Sequence, residues 1–177
     1  MRRLLTAALL FAAAPVAAAL APGAQAPDFA TRGAVAGNVV DVRLRDQLRR
    51  GPVVLYFFPA AFTGGCNAEA HAFAEAVDDF RAAGATVIGM SADDVPTLQR
   101  FSSEKCAGRF AVASASPELI RKYDVALGRQ VGGRDVTGRT SYVIARDGRI
   151  AFVHNDLNPA EHVATTLAAV RQLRAAR

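Results

Sequence analysis

The stretch Val53–Val77, VVLYFFPAAFTGGCNAEAHAFAEAV, limits what this chain can become more than any other. Val53–Phe58 is an unbroken run of β-branched, aliphatic and aromatic residues, the pattern of a strand covered on both faces rather than one with a wet side. Pro59 lacks a backbone N–H and stops it. A short loop containing Thr63, Gly64 and Gly65 follows, and the spacing predicts a helix over Cys66–Ala83. Ala70, Phe73, Ala74, Val77 and Phe80 lie along its apolar face, and Gly84 supplies a stop. A doubly covered strand that feeds directly into an amphipathic helix requires helical layers over a sheet.

The rest of the chain fits that requirement. Pro27-Asp28-Phe29 begins the fold, with Phe29 as a core anchor. Asn38–Leu44 reads as a short strand and Leu44–Arg50 as a helical turn ended by Gly51-Pro52. Ala85–Ser91 reads as a second buried strand, and Asp93 or Asp94 caps a helix over Val95–Ala107. Phe110–Ala113 is a short strand, and Ser116-Pro117 opens a helix through Lys122. Gly128–Gly138 reads as an exposed loop or hairpin tip. Thr140–Ala145 and Ile150–His154 form a hairpin around Asp147-Gly148, and Pro159–Leu173 is a last helix. The economical arrangement is an α/β chain folded as a three-layer α/β/α sandwich with a mixed central sheet. Its element order is that of a thioredoxin-like fold.

Composition narrows the partners. Met1–Ala19 runs Arg2-Arg3, an apolar stretch and then Ala17-Ala18-Ala19, the order of a cleaved secretory signal. Its apolar run is short of the ~20 residues that a span requires. Residues 1–19 are therefore expected as a signal, 20–26 as a short mobile leader and 27–177 as one domain. The chain is expected to be exported, to the periplasm, with no membrane contact once the signal is removed. Without Arg2 and Arg3 the formal charge of +5 falls to +3. The remaining basic residues are scattered, which argues against nucleic acid as a partner.

Only two cysteines are present, Cys66 and Cys106. With no CxxC and no His/Cys cluster, zinc and c-type haem are poorly supported. Cys66 stands where a buried strand gives way to a helix N-terminus. The first N–H groups of a helix lack intrahelical partners, and the macrodipole adds about half a positive charge there. Both favour sulfur as the anion, which is its nucleophilic form. The competing reading is an inert buried thiol.

Pro59…Thr63…Cys66 has the spacing PxxxTxxC. With Ala26-Pro27-Asp28-Phe29, Glu69, Arg139-Thr140-Ser141-Tyr142-Val143-Ile144 and Asp147-Gly148, it resembles the peroxiredoxins over nearly all of the chain after residue 19. The likeness is greatest to the peroxiredoxin Q, or bacterioferritin comigratory protein-like, branch. The resemblance implies a thioredoxin-fold thiol peroxidase that reduces hydrogen peroxide and organic hydroperoxides. Cys66 would attack a peroxide oxygen and become a sulfenic acid. Thr63 would donate to the thiolate or the peroxide, Pro59 would shield the site, and Arg139 would be the fixed cation. The amides of Gly65 and Cys66 would complete the cradle. No cofactor is implied. The reductant would be a thioredoxin-like or other exported dithiol protein, and the chain a monomer or weak dimer. Without the resemblance Arg139 reads as a surface arginine, and Glu69 serves as well as a solvated first-turn carboxylate as it does as Arg139's partner.

One departure stands out. Many members of the branch carry a resolving cysteine five residues after the first, and here that position is His71. Five residues turn a helix by about 140°, so His71 faces away from Cys66. Cys106 is the substitute that the resemblance implies, closing a loop of about 40 residues and stabilising the oxidised form by roughly 4 kcal/mol. The competing reading of Cys106 is a core thiol. A disulfide reductase or isomerase would want CxxC and a proline before Thr140, and Thr137–Ser141 has none. A copper-binding thioredoxin fold would want CxxxC. A thiol redox sensor without turnover is the non-enzymatic alternative.

Overall fold

The computed structural model describes residues 19–131 and 133–175. The expected signal segment, Met1–Ala19, lies outside the described residues except for Ala19.

The organising strand forms as its composition demands. β3 (Val53–Phe57) is buried at every position. Val54 and Tyr56, with Phe58 just beyond, face one core, while Val53, Leu55 and Phe57 face the other. It pairs in parallel with β4 (Thr86–Ser91) and antiparallel with β8 (Thr140–Ile144). Outward from β4 come β5 (Ala111–Ser114), β1 (Ala30–Val35) and β2 (Asn38–Arg43), and β9 (Ile150–Asn155) lies outside β8. The mixed sheet has the order β2-β1-β5-β4-β3-β8-β9. The apolar faces of α2 (Gly64–Ala82), α3 (Val95–Glu104) and α5 (His162–Ala175) meet the first core. α1 (Leu44–Leu48) and α4 (Pro117–Lys122) meet the second. This is the expected three-layer sandwich.

Four details differ from the sequence reading. β1 was not foreseen: its sequence, ATRGAV, has no strand alternation, yet it pairs along its whole length with β2. Gly33 is the reason it fits, since a Cβ there would lie 2.2 Å from the Val112 carbonyl of β5. α2 begins at Gly64 rather than Cys66. α3 ends at Glu104, so Cys106 falls in the turn after the helix, where Ala107 and Gly108 take φ of 48° and 66°. Residues 20–26 are not a loose leader. The Gly23 N–H donates to Ile150 O (2.7 Å), Ile150 N–H to Ala24 O (2.9 Å) and Ala26 N–H to Gly148 O (2.9 Å), and Ala26 is buried.

The glycine-rich segment is the tip of a hairpin, β6 (Ala126–Val131) with β7 (Arg134–Thr137), which forms a sheet of its own. Asp94 is the residue that caps α3, accepting from the Thr97 N–H at 2.9 Å.

Candidate active site

The chain leaves the core at Pro59, and the loop to Thr63 is pinned from both sides. Thr137 Oγ1 donates to the Phe58 carbonyl at 2.6 Å. Asp93 Oδ2 accepts from the Ala61 N–H (2.7 Å) and from Ser91 Oγ (2.8 Å). Phe62 sits in the left-handed region, φ 64°, a strain of order 1 kcal/mol for a residue with a Cβ. Its ring packs edge-on against Phe101, with centroids 5.4 Å apart, and the Arg100 guanidinium lies over its face.

Thr63 is the N-cap of α2, and its carbonyl accepts from Asn67 N–H at 2.8 Å. The amides of Gly64, Gly65 and Cys66 come before that first helical bond and point out of the helix end, at the positive pole of its dipole. The exposed Thr63 hydroxyl makes no cap and gives its proton to the Ala60 carbonyl at 3.0 Å. The resemblance implies a donor to the thiolate or the peroxide; here the hydroxyl proton goes to Ala60 and the oxygen is left as an acceptor.

Cys66 is the third residue of α2 and 1% exposed. Arg139, just ahead of β8 and 5% exposed, aims three nitrogens at three partners. Nε donates to Leu157 O (2.8 Å), Nη1 to Glu69 Oε2, and Nη2 to Cys66 Sγ (3.6 Å). A planar guanidinium gripped along two edges has little freedom left. Gly65 makes room for it, since a Cβ there would come within 3.1 Å of Nη2.

Glu69 is therefore a buried partner of Arg139, not a solvated carboxylate. Burial pushes its carboxyl up to about 7, against the pull of Arg139. Among the described residues Oε1 has no hydrogen-bond partner, and His162 Nδ1 stands 3.7 Å from it. Sequence reasoning passed over three buried or half-buried polar residues behind the site: Asp93, Ser141 and His162. The available signal was polarity out of place, in a hydroxyl directly before the apolar run Tyr142–Ile144 and a histidine on the inner face of a helix start. His71 is on the surface, as expected, and faces Glu75 at 3.2 Å.

Cys106 is fully buried and belongs to the same apolar cluster as Cys66, and both thiols are free. Burial pushes the Cys106 thiol up to about 12, so it is protonated where it stands.

The site thus holds a buried sulfur at a helix end beside an arginine that is itself paired. Residues 22–153 match the AhpC/TSA family. The chloroplast peroxiredoxin Q of Oryza sativa subsp. japonica is 32% identical over 152 residues, 85% of this chain and 67% of that one. The chain belongs to the AhpC/TSA family, on its peroxiredoxin Q branch. Among solved structures, peroxidoxin BcpB of Mycobacterium tuberculosis superposes with a TM-score of 0.76 at 28% identity, covering 86% of this peroxiredoxin and 97% of that chain. Xanthomonas campestris peroxiredoxin Q gives 0.69 at 25% identity, covering 81% and 90%. This peroxiredoxin is a thiol-dependent peroxidase that takes peroxide substrates and a thioredoxin-like thiol reductant. The sensor and oxidoreductase alternatives gain nothing from these relatives.

Proposed function

We propose that Cys66 is the peroxidatic nucleophile and that Cys106 resolves it. The observation that carries this reading is Arg139 Nη2 at 3.6 Å from Cys66 Sγ, with its charge partner Glu69 bound on the guanidinium's other nitrogen. The thiolate attacks the nearer oxygen of ROOH, the O–O bond breaks, and Cys66 becomes S–OH while RO⁻ takes a proton and leaves as alcohol, or as water from hydrogen peroxide. Arg139 and the outward amides of Gly65 and Cys66 stabilise the charge that moves from sulfur to the leaving oxygen. Thr63 Oγ1, its proton already given to Ala60, accepts from the peroxide O–H. Pro59 shapes the loop and keeps bulk water from the sulfenic acid. The Cys106 thiolate then attacks the Cys66 sulfur and expels hydroxide, which leaves as water, and a dithiol protein reduces the disulfide while it is itself oxidised.

The composition of Met1–Ala19 supports export, with a periplasmic thioredoxin-like or other exported dithiol donor as reductant and a monomeric or weakly dimeric enzyme. The test is a pair of replacements. Cys66→Ser abolishes peroxide consumption. Cys106→Ser leaves the first oxidation at wild-type rate and lets a sulfenic acid accumulate at Cys66, read by mass after a sulfenate-specific label. Peroxide consumption surviving in Cys66→Ser sinks the nucleophile assignment. Undiminished turnover in Cys106→Ser, with no trapped sulfenate, sinks the resolving one.

A further inference from the structure

His162 is a buried titratable group that the chemistry above does not use. It is the first residue of α5 and has no exposed surface. Its Nε2 lies 2.9 Å from the Asp156 carbonyl oxygen, which can only accept, so Nε2 carries the proton. Nδ1 is then bare and accepts from the Ser141 hydroxyl at 2.8 Å. The titratable groups facing the ring are Glu69 from α2, Arg139 ahead of β8, His154 from β9 and Asp156 in the loop that follows β9. Burial, ahead of all of them, pushes the imidazole down to about 4. The Asp156 contact opposes that shift, and His154 and Arg139 add to it.

Two contacts of this ring back groups that grip Arg139. Asp156 receives the Nε2 proton and donates its own N–H to the Arg139 carbonyl at 3.2 Å, and the next residue, Leu157, takes Arg139 Nε. On the other side the bare Nδ1 stands 3.7 Å from Glu69 Oε1, the carboxylate oxygen that has no donor among the described residues. A donor at that place would compete for the carboxylate and draw it off Arg139. A lone pair there cannot, so Glu69 spends its hydrogen bonding on the guanidinium. The Asp156 carbonyl fixes this tautomer, and the Ser141 hydroxyl occupies Nδ1 as a donor.

We propose that His162 is a positioning residue for peroxide reduction, holding through Asp156–Leu157 on one side and Glu69 on the other the plane in which Arg139 presents Nη2 to Cys66. It touches no reacting atom. The inference rests on Cys66 as the nucleophile and on Arg139 as its cation.

The test uses full-length protein in a Cys106→Ser background, so that Cys66 is the only thiol. His162→Gln keeps a donor for Asp156 and loses the acceptor at Nδ1. Ser141→Ala removes the hydroxyl that occupies Nδ1. The pH profile of Cys66 alkylation by iodoacetamide is measured beside the second-order rate with hydrogen peroxide. In both variants the alkylation midpoint moves up by roughly half a pH unit, because the cation is held less firmly at the sulfur. The high-pH limit of alkylation stays unchanged, since the thiolate itself is the same. The peroxide rate falls about 10-fold, the cost of a misplaced charge. A midpoint that is unmoved or lowered overturns the proposal whatever the peroxide rate does, because a merely structural role would slow the reaction without moving it. Should His162→Gln not fold, Ser141→Ala decides on the same criterion. The alkylation profile needs no turnover, so an enzyme that fails to consume peroxide at Cys66 would refute the proposed function and still leave this question answerable.

Discussion

Glu69 and His162 face each other across 3.7 Å, both buried, and burial acts on them in opposite senses. It raises the Glu69 carboxyl from 4.5 to about 7 and lowers the His162 imidazole from 6.5 to about 4. Between pH 4.5 and 7 the folded state holds a proton on Glu69 that the unfolded chain has released, so this group's stabilisation is complete below pH 4.5 and is lost as pH rises through 7. Between pH 4 and 6.5 the unfolded chain binds a proton that folded His162 refuses, so that contribution is complete above pH 6.5 and is lost as pH falls toward 4. Over pH 4.5–6.5 the two slopes oppose each other. Glu69→Gln removes one of them. Above pH 7, where the carboxylate is ionised, it lowers stability by about 3–5 kcal/mol, because buried Arg139 loses its counterion. It also uncovers the histidine slope, so the stability of the variant rises by on the order of 3 kcal/mol from pH 4 to 6.5 while the wild type changes little. Urea unfolding at half-unit pH steps measures this, and parallel pH profiles for the two proteins would rule it out.

In the proposed cycle, the second half turns on the end of α3. A Cys106 thiol pushed up to about 12 and fully buried is a poor nucleophile in place, so resolution as proposed requires the turn after the helix to open. The turn is lightly fastened. Cys106 N–H reaches Phe101 O at 3.2 Å, Gly108 N–H reaches Ser102 O at 2.9 Å, and Ala107 bears a left-handed φ of 48°. Outside it, Arg109 Nη2 meets Asp78 at 2.6 Å and Arg81 Nη2 donates to the Arg109 carbonyl at 3.1 Å, tying the turn to α2. Arg109→Ala removes the Asp78 ion pair, keeps the carbonyl that Arg81 holds, and leaves Cys66, Arg139 and Glu69 untouched. After a peroxide pulse the first oxidation keeps its rate, and the Cys66–Cys106 disulfide, followed by mass after acid quench and alkylation, forms about 3-fold faster as the open state becomes more populated. A disulfide rate equal to or below wild type would mean that opening at this turn does not limit resolution.

Across the whole molecule, the parts legible in the sequence are those written in side-chain pattern. The run Val53–Phe58 gave away the buried strand, the Pro59–Cys66 spacing the loop and helix start, and Asp147-Gly148 the late hairpin. Parts decided by backbone contact were hidden. β1 depends on Gly33 fitting against the Val112 carbonyl, which no alternation announces. Arg139, Glu69, Ser141 and His162 meet only because β8 lies between β3 and β9 with α2 and α5 on one face, a matter of topology rather than spacing. Residues 20–26 looked like a leader because they are small and carry a Pro-Gly pair, yet they behave as part of the β9 edge. Besides the backbone bonds that flank Asp147-Gly148, Leu20 N–H donates to Tyr142 Oη at 3.1 Å and Arg149 Nη1 to Gly23 O at 3.0 Å. Chains started at Leu20 and at Pro27 should therefore differ. The shorter one loses these bonds and the buried Ala26, about 2 kcal/mol in net terms, which for a chain of this size lowers the Tm by roughly 6 °C. The site is remote from this edge, so the rate of Cys66 with hydrogen peroxide at 25 °C stays within about twofold, as expected for distant independent positions. Differential scanning calorimetry of the two proteins checks the first expectation and stopped-flow the second. Equal melting temperatures would mean that the segment lies on the sheet edge without contributing to its stability.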